Sequence, residues 1–145
     1  MKRLPREVWV ASVTLGDIEP HSYQESIELI LNRMEEVASY QPDIMCLPEV
    51  APFMRLETRP PIKDVAEEEI GPITSQFASF ARRNHCYVII PLDTKESGLY
   101  YNASVLLDRD GSYAGEYRKI FLTAGEMEQG LTPGPTDPPV LFSRK

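Results

Sequence analysis

The strongest constraint on this chain lies in its first third: a β-branched run, then a helical periodicity, then a second short apolar run. Val8-Trp9-Val10-Ala11-Ser12-Val13-Thr14-Leu15 is nearly continuous in apolar character, the pattern of a strand buried on both faces. On that reading Trp9 belongs to the core. Gly16-Asp17 closes the run, and Ser22 with Glu25 three residues later is a capping-box signature. Ile27, Ile30, Leu31, Met34, Val37 and Ala38 then share one helical face to about Tyr40, and Pro42 ends the helix. Asp43 to Pro48 reads as a second strand. A strand–helix–strand unit implies a right-handed crossover and a parallel pair.

The segment Val50 to Ile70 holds Pro52, Pro60 and Pro61 and lacks periodicity. A connection of this length carries function or a short helix, which Asp64 to Glu69 would supply. Gly71-Pro72 opens a further helix whose buried stripe is Ile73, Phe77, Phe80 and Ala81, with Arg82-Arg83 suited to its C-terminal end. Tyr87 to Leu92 predicts a third strand and Tyr100 to Leu107 a fourth. Asp108-Arg109-Asp110-Gly111 predicts a hairpin turn, with Ser112 to Arg118 returning as the fifth strand. The expected class is α/β with a mixed sheet.

Length and charge narrow the function. The chain of 145 residues suits one domain, 1–145, and its 42% hydrophobic and 26% charged residues suit a packed core. A net charge of −7 counts against nucleic-acid binding, which needs surplus Lys and Arg. No apolar run reaches the roughly 18 residues of a membrane span. The basic start Met1 to Arg6 has no apolar stretch behind it, so a soluble, cytoplasmic protein without membrane attachment is expected. Cys46, Cys86, His21 and His85 lack metal-ligand spacing. The two thiols read as small core residues and the histidines as solvated, so no metal and no cofactor are expected.

In open α/β sheets ligands bind beyond the carboxyl ends of strands. Glu49 follows the second strand behind Pro48, and Lys119 ends the fifth in Tyr117-Arg118-Lys119-Ile120-Phe121-Leu122. Either alone is ordinary surface charge; their combination carries more weight.

Four stretches occur in a telling order: the Val8–Leu15 strand with its helix; Asp43-Ile44-Met45-Cys46-Leu47-Pro48-Glu49; Tyr101-Asn102-Ala103-Ser104 running on to Asp110-Gly111; and Tyr117 to Leu122, followed by Thr132-Pro133-Gly134. In these the chain resembles the nitrilase superfamily, the carbon–nitrogen hydrolases that cleave nitriles, amides and carbamoyl groups. The resemblance implies a partial α-β-β-α sandwich. It also implies a catalytic set of Glu, Lys and Cys, with Glu49 as the Glu and Lys119 as the Lys. A further Glu between the Lys and the Pro-Gly turn is Glu126 or Glu128. The nucleophilic Cys of the family follows one more strand, of which Val140-Leu141-Phe142 looks like the beginning, and neither Cys46 nor Cys86 has that position. The expected protein is therefore the N-terminal part of such a domain, with base and lysine but no nucleophile and no turnover alone. Its partners would be a small amide, nitrile or carbamoyl substrate and further copies of itself, in a homodimer or larger assembly. Glu49 in a partly dry pocket is expected to have a raised pKa, and Phe53, Met54 and Arg55 to line that pocket.

Two other readings stand beside this one. The metal-dependent exonuclease/phosphatase superfamily also has a strand of the form Asp-Ile-x-x-Leu-x-Glu, in which Glu49 would bind Mg²⁺. That family's Asn is missing from the first strand, and Pro48 stands in place of its usual Gln. The third reading is a non-catalytic binding or assembly domain that keeps the fold.

Overall fold

Parallel pairing of the first two strands follows from the helix between them, and the computed structural model, which describes residues 7–140, shows it. The basic start at 1–6 and most of the tail segment Val140-Leu141-Phe142 lie outside the described residues. β1 (Val10–Ser12) and β2 (Ile44–Cys46) are joined by helix α1 (Tyr23–Ala38). The Ser22 hydroxyl accepts from the Glu25 N–H at 3.1 Å, while the Glu25 carboxylate reaches back to the His21 N–H at 2.8 Å. These bonds satisfy amides that the first helical turn leaves orphaned.

A 3₁₀ turn at Ala51–Phe53 and the short helix α2 (Ile62–Val65) occupy the long connection. α2 therefore lies earlier than the expected Asp64–Glu69 helix. Glu67 forms a bridge to Thr94 instead, and the chain from Ala66 onward serves the sheet rather than a helix. Helix α3 (Thr74–Asn84) buries Phe77, Phe80 and Ala81 as its stripe requires. Its N-terminus is capped from a distance. The buried Glu67 carboxylate accepts from the N–H groups of Ile73 and Thr74 and from the Thr74 hydroxyl, the last at 2.7 Å.

β3 (Tyr87–Glu96) and β4 (Leu99–Leu107) run past their expected ends into a tight hairpin. Ser97 and Gly98, with φ of 51° and 79°, supply its two positive-φ corners. β5 (Tyr113–Arg118) pairs antiparallel with β4, and the short helix α4 (Ala124–Glu128), which the periodicity does not signal, follows it. The strands lie in chain order, β1-β2-β3-β4-β5, the first three parallel and the last two antiparallel. The fold is α/β with a mixed sheet.

One face of the sheet carries the core. Met45, Val88, Ile90, Leu92, Val105 and Leu107 pack with Ile27, Ile30 and Met34 of α1 and Phe77 and Phe80 of α3. The register places Val10, Ile44, Cys46, Ile89, Ser104, Leu106 and Tyr117 on the opposite face, where they are half-buried or exposed. Among the described residues no helix layer covers that face. This corrects the reading of the first strand: β1 is a three-residue edge strand, and Trp9, 57% exposed, stands outside the core that α1 and α3 complete, whereas Val13 and Leu15 farther along the run belong to it. At Val10 apolar character reflects an uncovered sheet face, not burial on both sides. No described helix is long and apolar enough to cross a membrane.

Candidate active site

Four elements bring their ends to one rim of the sheet. Glu49 lies just beyond β2, and the next residue, Val50, takes a left-handed conformation (φ 46°, ψ 39°) that turns the chain into the 3₁₀ turn. A β-branched residue there is a genuine outlier, of the kind that a functional site stores. Asn102 sits inside β4 on the uncovered face, 7% exposed. Lys119 lies one residue past β5, its N–H donating to the Asn102 carbonyl at 2.8 Å and its own carbonyl accepting from the Gly134 N–H at 2.8 Å. Glu126 comes from α4, where Thr123 and Glu126 form a reciprocal capping box.

These side chains make a closed ring of two donors and two acceptors. Lys119 Nζ donates to Glu49 Oε1 at 3.0 Å and to Glu126 Oε1 at 2.9 Å. Asn102 Nδ2 donates to the same two oxygens, at 2.7 and 2.9 Å. The other Glu126 oxygen accepts from the Thr123 N–H at 2.8 Å. Of the two glutamates left open by the sequence, Glu126 is the one in the cluster, whereas Glu128 at the exposed end of α4 takes no part in it. The signal was present, because Thr123-Ala124-Gly125-Glu126 has the capping-box spacing that fixes Glu126 three residues into a helix. The sequence pattern marks Asn102 only as part of a strand. A carboxamide in an otherwise apolar run needs partners once buried, and that was the clue to its place here.

Electrostatics follow from the ring. The Lys119 ammonium and the Asn102 amide hold the Glu49 carboxyl below its ordinary value, against some burial. The expectation of a raised Glu49 is therefore not met: its side chain is 59% exposed, so desolvation is weak beside an ammonium in contact. Burial pushes the Glu126 carboxyl up, but the Thr123 N–H, Lys119, Asn102 and the Thr123 hydroxyl outweigh it and hold the group at about 2. Glu126 and Glu49 in turn raise Lys119. The site at neutral pH thus contains two carboxylates and one ammonium.

A shallow depression of about 260 Å³ opens beside the ring, lined by Glu49, Pro91, Asn102, Ala103, Ser104, Tyr117 and Lys119. Phe53 does not line it: it is 3% exposed, packs edge-on against Tyr23 with centroids 6.1 Å apart, and lies in the core. Met54 and Arg55 border a different hollow, shared with Ile18 to Tyr23. Cys46 and Cys86 are likewise outside the depression, and burial raises both thiols, Cys86 to about 11. Neither thiol is poised as a nucleophile. Among the described residues no group of His, Cys, Asp or Glu is arranged to hold a metal ion.

A single helix layer thus lies on a mixed sheet, with a carboxylate–lysine–carboxylate ring at the carboxyl end of β2. The family model of the carbon-nitrogen hydrolases matches residues 10–143, and the chain belongs to that family. Among solved structures it is similar to a carbon-nitrogen hydrolase from Helicobacter pylori G27, at 22% identity and TM-score 0.67, covering 89% of this chain and 45% of that one. It is also similar to an amidase from Nesterenkonia sp., at 20% identity and TM-score 0.74, covering 93% of this chain and 51% of that one. An N-terminal amidase with an Asn-Glu-Ala peptide aligns at 21% identity and TM-score 0.72, over 88% of this chain and 31% of the other. These likenesses carry the fold, and the chain spans about half the length of the first two. No curated protein matches the chain in sequence. The phosphoesterase reading falls with the family match.

Proposed function

We propose that residues 1–145 form the N-terminal part of a single carbon–nitrogen hydrolase domain and supply Glu49, Lys119 and Glu126 to a site that hydrolyses small amides, nitriles or carbamoyl compounds. The observation that carries this reading is the convergence of those three side chains, from three separate elements, in one hydrogen-bonded ring beside a depression that Glu49 and Lys119 line. The nucleophile would be a thiol that neither Cys46 nor Cys86 provides. A mutant of the Nesterenkonia sp. AN1 amidase carries acrylamide joined by Michael addition to its active-site cysteine, which supports a cysteine nucleophile for such a site.

The roles follow from bonding capacity. Glu49 Oε1 is occupied by two donors, so its second oxygen is the base that takes the thiol proton as sulfur attacks the carbonyl carbon. Lys119 uses two of its three N–H donors on carboxylates and keeps one for the oxyanion of the tetrahedral intermediate. Glu49 returns the proton to the departing amine. It then deprotonates the water that cleaves the thioester, releasing the acid and restoring the thiol. Glu126 keeps Lys119 charged throughout. Covering and drying the site raises Glu49 toward the proton affinity that a base needs. Self-association into a homodimer or larger assembly belongs to the same proposal.

The test uses the chain itself. Alone it turns over no member of an amide and nitrile panel. Added small thiol accelerates hydrolysis of an activated anilide beyond the thiol background, and Glu49→Gln and Lys119→Met each abolish that gain. Turnover without added thiol that Cys46→Ala removes refutes the missing nucleophile. No thiol-dependent gain at all favours a domain that keeps the fold without the chemistry.

A further inference from the structure

Among the described residues two buried carboxylates stand outside the ring of four, Glu67, which caps α3, and Asp93. Asp93 is fully buried in β3 and pairs with Arg59, whose side chain is 30% exposed and whose guanidinium lies 5.5 Å from the centroid of the Phe53 ring. The pair is incompletely satisfied, since Asp93 Oδ1 and Arg59 Nε have no hydrogen-bond partner among the described residues. A buried ion pair with orphaned atoms is a poor device for stability. Its location is more informative. Asp93 stands directly opposite Asn102 in the antiparallel register, on the same sheet face, and opposed residues of this kind have Cβ atoms only about 5 Å apart. Asn102 is the residue whose amide bonds both Glu49 and Glu126.

We propose that Arg59 and Asp93 form a positioning pair for the candidate active site, holding from the adjacent strand the Asn102 carboxamide that ties Glu49 to Glu126. Its catalytic consequence rests on the hydrolase reading; the coupling itself does not. Arg59 supplies the positive charge that pairs with Asp93 and opposes the burial that pushes its carboxyl up. Without Arg59 an unpaired buried carboxylate must take up a proton, which makes it a donor, or repel Glu126. Either response disturbs the amide that the two glutamates share. Burial holds the Asp93 carboxyl above its ordinary value, Arg59 works against that, and the Glu126 charge adds a smaller upward push. Arg59 also ties the connection between the 3₁₀ turn and α2 to the sheet beneath the rim.

The readout is the side-chain NH₂ pair of Asn102 in the chain itself, observed by ¹H–¹⁵N correlation and assigned by its loss in Asn102→Asp. In the parent chain the two protons resonate apart and exchange slowly with water, because both are bonded. Asp93→Asn and Arg59→Met each move both resonances toward those of a solvated amide and speed their exchange, while Arg59→Lys, which keeps the charge, restores most of the parent signature. Where Arg59→Met fails to fold, the double variant Arg59→Met/Asp93→Asn, free of any unpaired charge, shows the same displacement. Unchanged Asn102 signals in folded variants that merely melt earlier overturn the proposal and leave the pair a structural one. Failure of the hydrolase reading shows elsewhere, in the thiol-dependent assay, and leaves these signals as they are.

Discussion

At the scale of single residues, the ring around Lys119 makes charge and stability interdependent. Glu126 has a folded-state value of about 2 against an ordinary 4.5. A depressed carboxyl contributes stability that is complete above 4.5 and is lost as the pH falls toward 2. Lys119 has the opposite sign: raised above 10.5, it contributes below that value and loses the contribution as the pH climbs through its folded-state value. Urea midpoints of Glu126→Gln measured across acid pH will therefore show a flatter decline between pH 4.5 and 2 than the parent. Thr123→Ala, which removes the cap hydroxyl, is expected to cost about 1 kcal/mol and to move Glu126 back toward 4.5. Glu49 and Lys119 were legible in the sequence because strand ends are where such chemistry collects. Choosing Glu126 over Glu128 rested on the capping-box spacing of Thr123 and Glu126 alone, because a helix of five residues has too little periodicity to support it.

Among the elements, those with a strong pattern behaved as the pattern required: α3 buries its predicted stripe, α1 buries Ile27, Ile30 and Met34 and half-buries Leu31, Val37 and Ala38, and Gly111 takes the positive φ (82°) expected of the β4–β5 turn. Failures fell where two arrangements produce the same apolar string. The Val8–Leu15 run could not distinguish a doubly buried strand from an edge strand with an uncovered face. Capping by Glu67 was equally invisible, because it acts across a loop. Glu67→Ala leaves the N–H groups of Ile73 and Thr74 unbonded in the interior, and urea unfolding should register a loss of about 2–3 kcal/mol. The Pro-Gly turn has a quantifiable demand of its own. A Cβ on Gly134 would stand 2.3 Å from the Arg118 carbonyl oxygen, on rigid backbone at the end of β5. Gly134→Ala should therefore lift the turn off the strand, at a cost of about 1–3 kcal/mol. Hydrogen exchange would quicken at the amides of Gly134 and Lys119, whose bonds hold the lysine in place.

For the molecule as a whole, the two sheet faces set the behaviour in solution. One is sealed by α1 and α3; the other presents Val10, Ile44, Ile89, Leu106 and Tyr117 without a covering layer among the described residues. A surface of this kind favours association and dye binding. The chain should bind an apolar fluorophore and sediment as a mixture at micromolar concentration, and a single sharp melt of a monomer would count against this. The strand sequence carries one more implication. Because each strand neighbours its predecessor, a ribosome releasing the N-terminus first can add strands one beside another, like courses of brick. Glu49 is then laid early and waits for seventy further residues until Lys119 arrives to meet it. The ring at the rim closes only once α4 has been made, so any interruption of synthesis short of α4 leaves a wall with no keystone.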